Sequence, residues 1–228
     1  MNEMLFFATI LTTFGLVVGA HYFFGKNGLF AWIAFAVVFA NILVTKCVRL
    51  FGMEATLGNV LFGTAFLCTD MLNEMYGYKT SRKGVFVGLF AILSFLALSQ
   101  LALLFVPSEL DMVNDSMQTL FALSPRTCLA SVSMFLCSNL LDVWMFETLK
   151  RATGGRMLWL RNNVSTCISQ VIENFFFFLI AFGGIFTFTD ILTLTLCCSV
   201  IEIIVAICDT PFLYLARRLG RVCDRKME

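Results

Sequence analysis

The sequence predicts an all-α protein: a polytopic helical membrane bundle of six to seven transmembrane helices, forming one domain over residues 1–228. Three observations carry that expectation. The chain is 59% hydrophobic and 14% charged, whereas soluble domains carry roughly 25% charged residues. Its mean hydropathy is +0.88. Apolar stretches of about 20 residues, the length that crosses a hydrocarbon core as a helix, recur from one end to the other. Phenylalanine is abundant (26 residues) and proline scarce (3), a balance that suits long helices against lipid, since proline leaves helix hydrogen bonds unmade.

Seven stretches are of spanning length: 4–24, 29–50, 57–75, 84–106, 127–149, 165–187 and 191–216. The first has no basic segment before it and no small-residue cleavage site after it, so it reads as a retained helix. The second carries Asn41 and Lys46. The third, LGNVLFGTAFLCTDMLNEMYG, is the least apolar; Asp70 and Glu74 are four residues apart on one helical face, with Asn73 beside them. The fourth contains Gly84-x-x-x-Gly88, and the first Gly15-x-x-x-Gly19. Both permit close helix approach, read here as packing within one bundle, with a homodimer as the second reading. The fifth carries Ser131, Ser138, Asn139, Asp142 and Glu147. In the sixth, Asn162, Thr166, Ser169/Gln170 and Glu173 recur at intervals of three to four and form a polar stripe. The seventh carries Glu202 and Asp209, the latter just before Thr210-Pro211, where a kink is expected.

Basic residues set the orientation. Lys79, Arg82 and Lys83 fall in one loop, Lys150, Arg151 and Arg156 in another, and Arg217, Arg218, Arg221, Arg225 and Lys226 in the tail. The loops between them hold Glu109, Asp111, Asp115 and Asp190. Short basic loops stay in the cytoplasm, so the C-terminus is expected inside and, with seven helices, the N-terminus outside. Lys46 and Arg49 then lie toward the outer end of the second helix. Either they snorkel to the interface, or Lys46 turns inward and pairs with an acid.

Charge inside lipid is costly. One Asp at the bilayer centre carries a penalty of at least ~2.5 kcal/mol, so intramembrane acids face a polar interior and mark candidate sites. Polar stripes on several helices imply one shared cavity, to which Asn41, Lys46, Asp70, Glu74, Asn139, Asp142, Gln170 and Glu173 are the candidate contributors. Enzyme signatures are missing: there is no H-E-x-x-H, G-x-S-x-G or Walker glycine loop. The single histidine, His21, and nine scattered cysteines without C-x-x-C spacing give no metal or redox reading. No enzyme activity, cofactor, metal or nucleic-acid partner is expected.

Several segments resemble the queuosine-precursor transporter family, also described as vitamin-uptake-type integral membrane proteins. They are ANILVTK (40–46), ATLGN (55–59), TDMLNEMYG (69–77), SPR (124–126), LDVW (141–144), TGGRMLWLRNNVSTCISQ (153–170), IAFGGIF (180–186) and DTPFLYLARR (209–218). The long block at 153–170 is the most specific. The chain departs from the family pattern at Glu173, where Asp is usual, at Asn139, where Gln is frequent, and at Glu202, where Lys is frequent. The resemblance implies import of 7-deazaguanine bases, in cyano or aminomethyl form, or of queuine, across a bacterial inner membrane. A second possibility is the substrate-binding subunit of an ATPase-energised vitamin-uptake complex. Under the first reading Glu173 or Asp142 accepts two hydrogen bonds from the base edge, and Gln170 and Asn139 orient the ring. Asp70 and Glu74 complete the polar wall or hold a cationic side chain.

Overall fold

A computed structural model describes residues 1–122 and 124–227, with side chains as far as Gly220. The basic tail residues Arg221, Arg225 and Lys226 therefore lie outside the described side chains. The chain runs α1 (Asn2–Leu43), β1 (Cys47–Leu50), β2 (Met53–Thr56), α2 (Gly58–Tyr76), α3 (Tyr78–Leu103), α4 (Asn114–Phe121), α5 (Pro125–Ala152), α6 (Leu158–Phe182) and α7 (Phe188–Met227).

Among the described residues, five helices are long and apolar enough to cross a membrane: α1, α3, α5, α6 and α7. At 42 residues α1 is about twice the necessary length. It breaks at Gly25 (φ 57, ψ −139), a conformation open to glycine because it has no Cβ. Its two arms supply the first two expected spans. The expected third span is α2, which has the length, 19 residues, but not the apolarity. It does not need it, because 15 of its 19 residues are buried within the bundle. Helices α1, α3, α5 and α7 all pack against it. The polar helix is therefore shielded from lipid by apolar ones.

Several boundaries differ from expectation: α3 begins at Tyr78 and α5 runs to Ala152, so Lys79, Arg82 and Lys83 lie in the first turns of one helix and Lys150 and Arg151 in the last turn of the other, not in loops. The second span was expected to run to residue 50, but the helix ends at Leu43 and residues 47–50 pair antiparallel with 53–56. Phe51 and Gly52 close this hairpin with positive φ at both positions (51° and 82°), as a two-residue turn matched to the strand twist requires. The hairpin takes Lys46 and Arg49 out of a helix that would have carried them into lipid. Both are exposed, so Lys46 does not turn inward. The sixth span was expected from residue 165, whereas α6 starts at Leu158. Arg161 and Asn162 in its first turns are fully buried by protein, so helix there needs no apolar sequence.

Small residues set the helix contacts. An added Cβ at Gly63 of α2 would lie 2.5 Å from Cγ1 of Val205 on α7. One at Gly88 of α3 would lie 2.7 Å from Cζ of Phe135 on α5. The Gly84/Gly88 pair thus packs within the bundle. Nothing lies within 4 Å of a Cβ at Gly15 or Gly19. Gly63→Val is accordingly expected to destabilise the protein by about 1–3 kcal/mol through overpacking, while Gly15→Ala leaves it near wild type. Thermal unfolding of both variants in detergent measures the difference.

Candidate functional site

A cavity of about 180 Å³ lies between α2, α5, α6 and α7, with the ends of α1 and of the hairpin at its edge. For scale, a dry protein cavity of ~150 Å³ admits benzene. Its apolar walls are aromatic: Phe62 and Phe66 on α2, Phe135 on α5, Phe177 and Phe178 on α6. Its polar groups come mainly from Asn41, Asn59, Gln170, Glu173, Asn174 and Glu202. The sequence builds the α6 side locally. Positions 170, 173/174 and 177 are one helical turn apart, so amides, carboxylate and phenyl ring project along one face.

Hydrogen bonds hold this wall in place. Ser138 Oγ donates to Glu173 Oε2 at 2.7 Å. Asn174 Nδ2 donates to Glu202 Oε2 at 2.5 Å and to Ser199 Oγ at 3.1 Å. Asn41 Nδ2 donates back to the Val37 carbonyl at 2.6 Å. Thr56 Oγ1 donates to Asn59 Oδ1 at 2.6 Å. Two buried groups on the wall have no hydrogen-bond partner: Gln170 Oε1, an acceptor, and Asn59 Nδ2, a donor. A buried polar group left without a partner costs about 1–3 kcal/mol, so among the described residues the wall holds one donor and one acceptor with unmet hydrogen-bonding capacity.

Below the cavity, toward the end where the basic residues gather, three aspartates are buried together. Asp70 on α2, Asp142 on α5 and Asp209 on α7 are all at most 1% exposed. Asp142 and Asp209 are the acidic side chains that neighbour Asp70. Thr166 Oγ1 donates to Asp142 Oδ1 at 3.1 Å, and Asn162 Nδ2 to Asp209 Oδ1 at 2.6 Å. Among the described residues no Lys or Arg pairs with any of the three. Asn162 and Asn163 also donate to Thr210 Oγ1, which ties α6 to α7 just before Pro211.

At the basic end itself, Glu74 is an ion-pair hub. Its carboxylate meets Arg161 at 2.5 Å, Lys150 at 3.3 Å and Arg217 at 3.3 Å. One acid of α2 thereby ties down α5, α6 and α7. Arg161 is fully buried, donates also to the Arg156 carbonyl at 3.1 Å, and lies 5.3 Å from the Phe146 ring centroid. Lys150 Nζ further donates to the carbonyls of Asn73 and Glu74, capping the end of α2.

Of the eight candidate residues, Asn41, Gln170 and Glu173 line the cavity. Asp70 and Asp142 meet in the aspartate group instead. Asn139 is buried on α5, where its Nδ2 donates to the Phe135 carbonyl at 2.9 Å. Glu74 is engaged by three cations, and Lys46 is exposed in the turn before the hairpin. Asn59, Asn174 and Glu202 line the cavity although they were not among the eight. The helical offset from Gln170 to Asn174 and the carboxylate in the most apolar helix were the available signals.

The sequence blocks that carry the family resemblance converge in space at these places. TDMLNEMYG supplies Glu74, WLRNN supplies Arg161, and LARR supplies Arg217 to the ion hub. At the other end, Ser124 accepts from Thr127 N–H at 3.1 Å to cap α5, with Pro125 in its first turn. Arg126 of the same SPR segment donates to the carbonyls of Ile180 and Gly183 in IAFGGIF, where a cation complements the C-terminus of α6.

Residues 56–216 match the protein family described as "Putative vitamin uptake transporter". A "Probable queuosine precursor transporter" of Bacillus subtilis is 41% identical over 197 residues, covering 86% of this chain and 86% of the relative. A protein of the same description from Haemophilus influenzae is 27% identical over 132 residues, covering 58% of this chain and 54% of the relative. No solved structure matches the chain. With its polytopic bundle and buried polar cavity, this multi-pass membrane protein belongs to the queuosine-precursor, or vitamin-uptake-type, transporter family.

Proposed function

We propose that the protein imports queuosine precursors across the bacterial inner membrane, with the 7-deazaguanine base held in the cavity between α2, α5, α6 and α7. The observation that carries this reading is the cavity wall: aromatic sides, the carboxylates of Glu173 and Glu202 and unpartnered amide atoms in a space of single-base size. A 7-deazaguanine presents an N–H and an exocyclic amine side by side and a carbonyl beside them. Glu173 accepts the paired donors, Gln170 and Asn59 serve the rest of the edge, and Phe177 and Phe178 face the ring. The names of the relatives agree with such a ligand.

The rest of the polar column gives a route. The cavity occupies the half of the bundle away from the basic residues. Beneath it come the aspartates, and beneath those the Glu74 hub. With that basic end cytoplasmic, the cavity lies in the outer half, the C-terminus is inside, and the hub closes the inner end. Opening that end requires Glu74 to part from its cations, so transport and the ion cluster are coupled.

The experiment is uptake in a bacterium lacking both precursor synthesis and its own importer. This chain, expressed in the membrane, is expected to restore queuosine in tRNA at nanomolar supplied base. No modification despite confirmed membrane expression would falsify the reading. Purified protein in liposomes shows whether the single chain suffices for movement of the base.

A further inference from the structure

Glu202 has no part in recognising the base edge, yet it reaches the same cavity. It comes from α7 and lies beside the α6 wall that carries Glu173, held by Asn174 of that helix. None of the residues lining the cavity is basic. From α1, the hairpin, α2, α3 and α5 the lining is amide, hydroxyl, thiol or apolar, so among the described residues no cation faces either carboxylate. Each has one oxygen held by a protein donor, Ser138 for Glu173 and Asn174 for Glu202. Among the described residues the second oxygen of each receives no protein hydrogen bond. Two like charges in one low-dielectric cavity repel, and an uncompensated buried charge is costly. Gln170 Oε1, 98% buried by the 2% exposure of its residue and without a partner, points independently to an occupant that donates hydrogen bonds.

We infer that the cavity selects a base bearing an aliphatic ammonium group, with Glu202 as the residue that pairs with that cation. This inference rests on the proposed import of 7-deazaguanines and narrows it to the aminomethyl type over the neutral cyano type. One carboxylate serves the amidine-like edge of the ring, and the other serves the charged side chain. Phe177 and Phe178 add aromatic faces to which an ammonium is attracted. A nitrile has neither charge nor donor and leaves Glu202 unpaired.

The test is equilibrium binding of two probes, 7-aminomethyl-7-deazaguanine and 7-cyano-7-deazaguanine, to the purified full chain at pH 7. The wild type is expected to bind the aminomethyl base at least about tenfold more tightly. Glu202→Gln is expected to bring the ratio of the two affinities within about twofold, and Glu202→Asp, which keeps the charge, to retain most of the preference. A wild type that binds both bases equally overturns the selectivity while leaving base transport standing. A preference that survives in Glu202→Gln overturns the role of Glu202. Binding of neither base overturns this inference, while the transport reading falls only if no supplied precursor, queuine included, restores queuosine in tRNA. The wild-type comparison decides even where a variant fails to fold.

Discussion

Glu74→Ala is expected to destabilise the protein by about 3–5 kcal/mol, the penalty for removing one partner of a buried ion pair. Its side chain is 5% exposed and Arg161 is completely buried. Without Glu74 the guanidinium keeps only the Arg156 carbonyl and the face of Phe146. Lys150 and Arg217, being 25% and 33% exposed, can turn toward water, so they add less. The measurement is the melting temperature in detergent together with the yield of folded protein from the membrane. Arg161→Met alone should also destabilise, whereas Glu74→Ala with Arg161→Met should cost less than the sum of the two, since residues in one ion pair do not act additively. Strict additivity would show that the hub is not the clamp described. The contrast is Glu147→Gln. Its partner Arg151 is 76% exposed, and such surface pairs contribute at most about 1 kcal/mol.

Glu173→Gln is expected to reduce uptake by about tenfold to a hundredfold with membrane expression intact. Hydrogen bonds to a charged group contribute about 1.5–3 kcal/mol, and each 1.4 kcal/mol is a factor of ten in affinity. The amide keeps the size and can still accept from Ser138, so the fold is not the target. It loses the second acceptor oxygen and places a donor against the donors of the base. The readout is the initial uptake rate at low substrate, set beside the protein level in the membrane. Near-normal uptake removes Glu173 from the site. The two variants thus separate along the column: one acts through the clamp at the inner end, the other through the cavity.

The polar helix shows how much the sequence could say. Asp70 and Glu74 stood out as two acids on one face of an apolar stretch, and that was enough to place them in a protein interior. It was not enough to separate them. One helical turn divides a carboxylate among other carboxylates from one held by three cations. The difference is made by residues 76 to 143 positions away: Lys150 and Arg161, brought from α5 and α6, and Arg217, from α7. Lys46 is the converse case. Its position at the end of an apolar run left it either reaching the interface or turning inward toward an acid, and the end of α1 at Leu43 with the hairpin that follows leaves it exposed.

The sequence by itself determined the class of the protein, because hydrophobic length and charge scarcity are properties of composition and the bilayer leaves helices as the way to satisfy the backbone. It also determined the family, because the motif blocks are linear. Residues 170, 173, 174 and 177 share a face by helix geometry alone, so the α6 part of the cavity wall was legible. Only the tertiary structure decided which acids line the cavity, which meet each other and which meet arginine. Those outcomes depend on the relative rotation and depth of four helices, set by close contacts such as Gly63 against Val205 and Gly88 against Phe135. Such contacts join residues far apart in the chain, and no local pattern encodes their register.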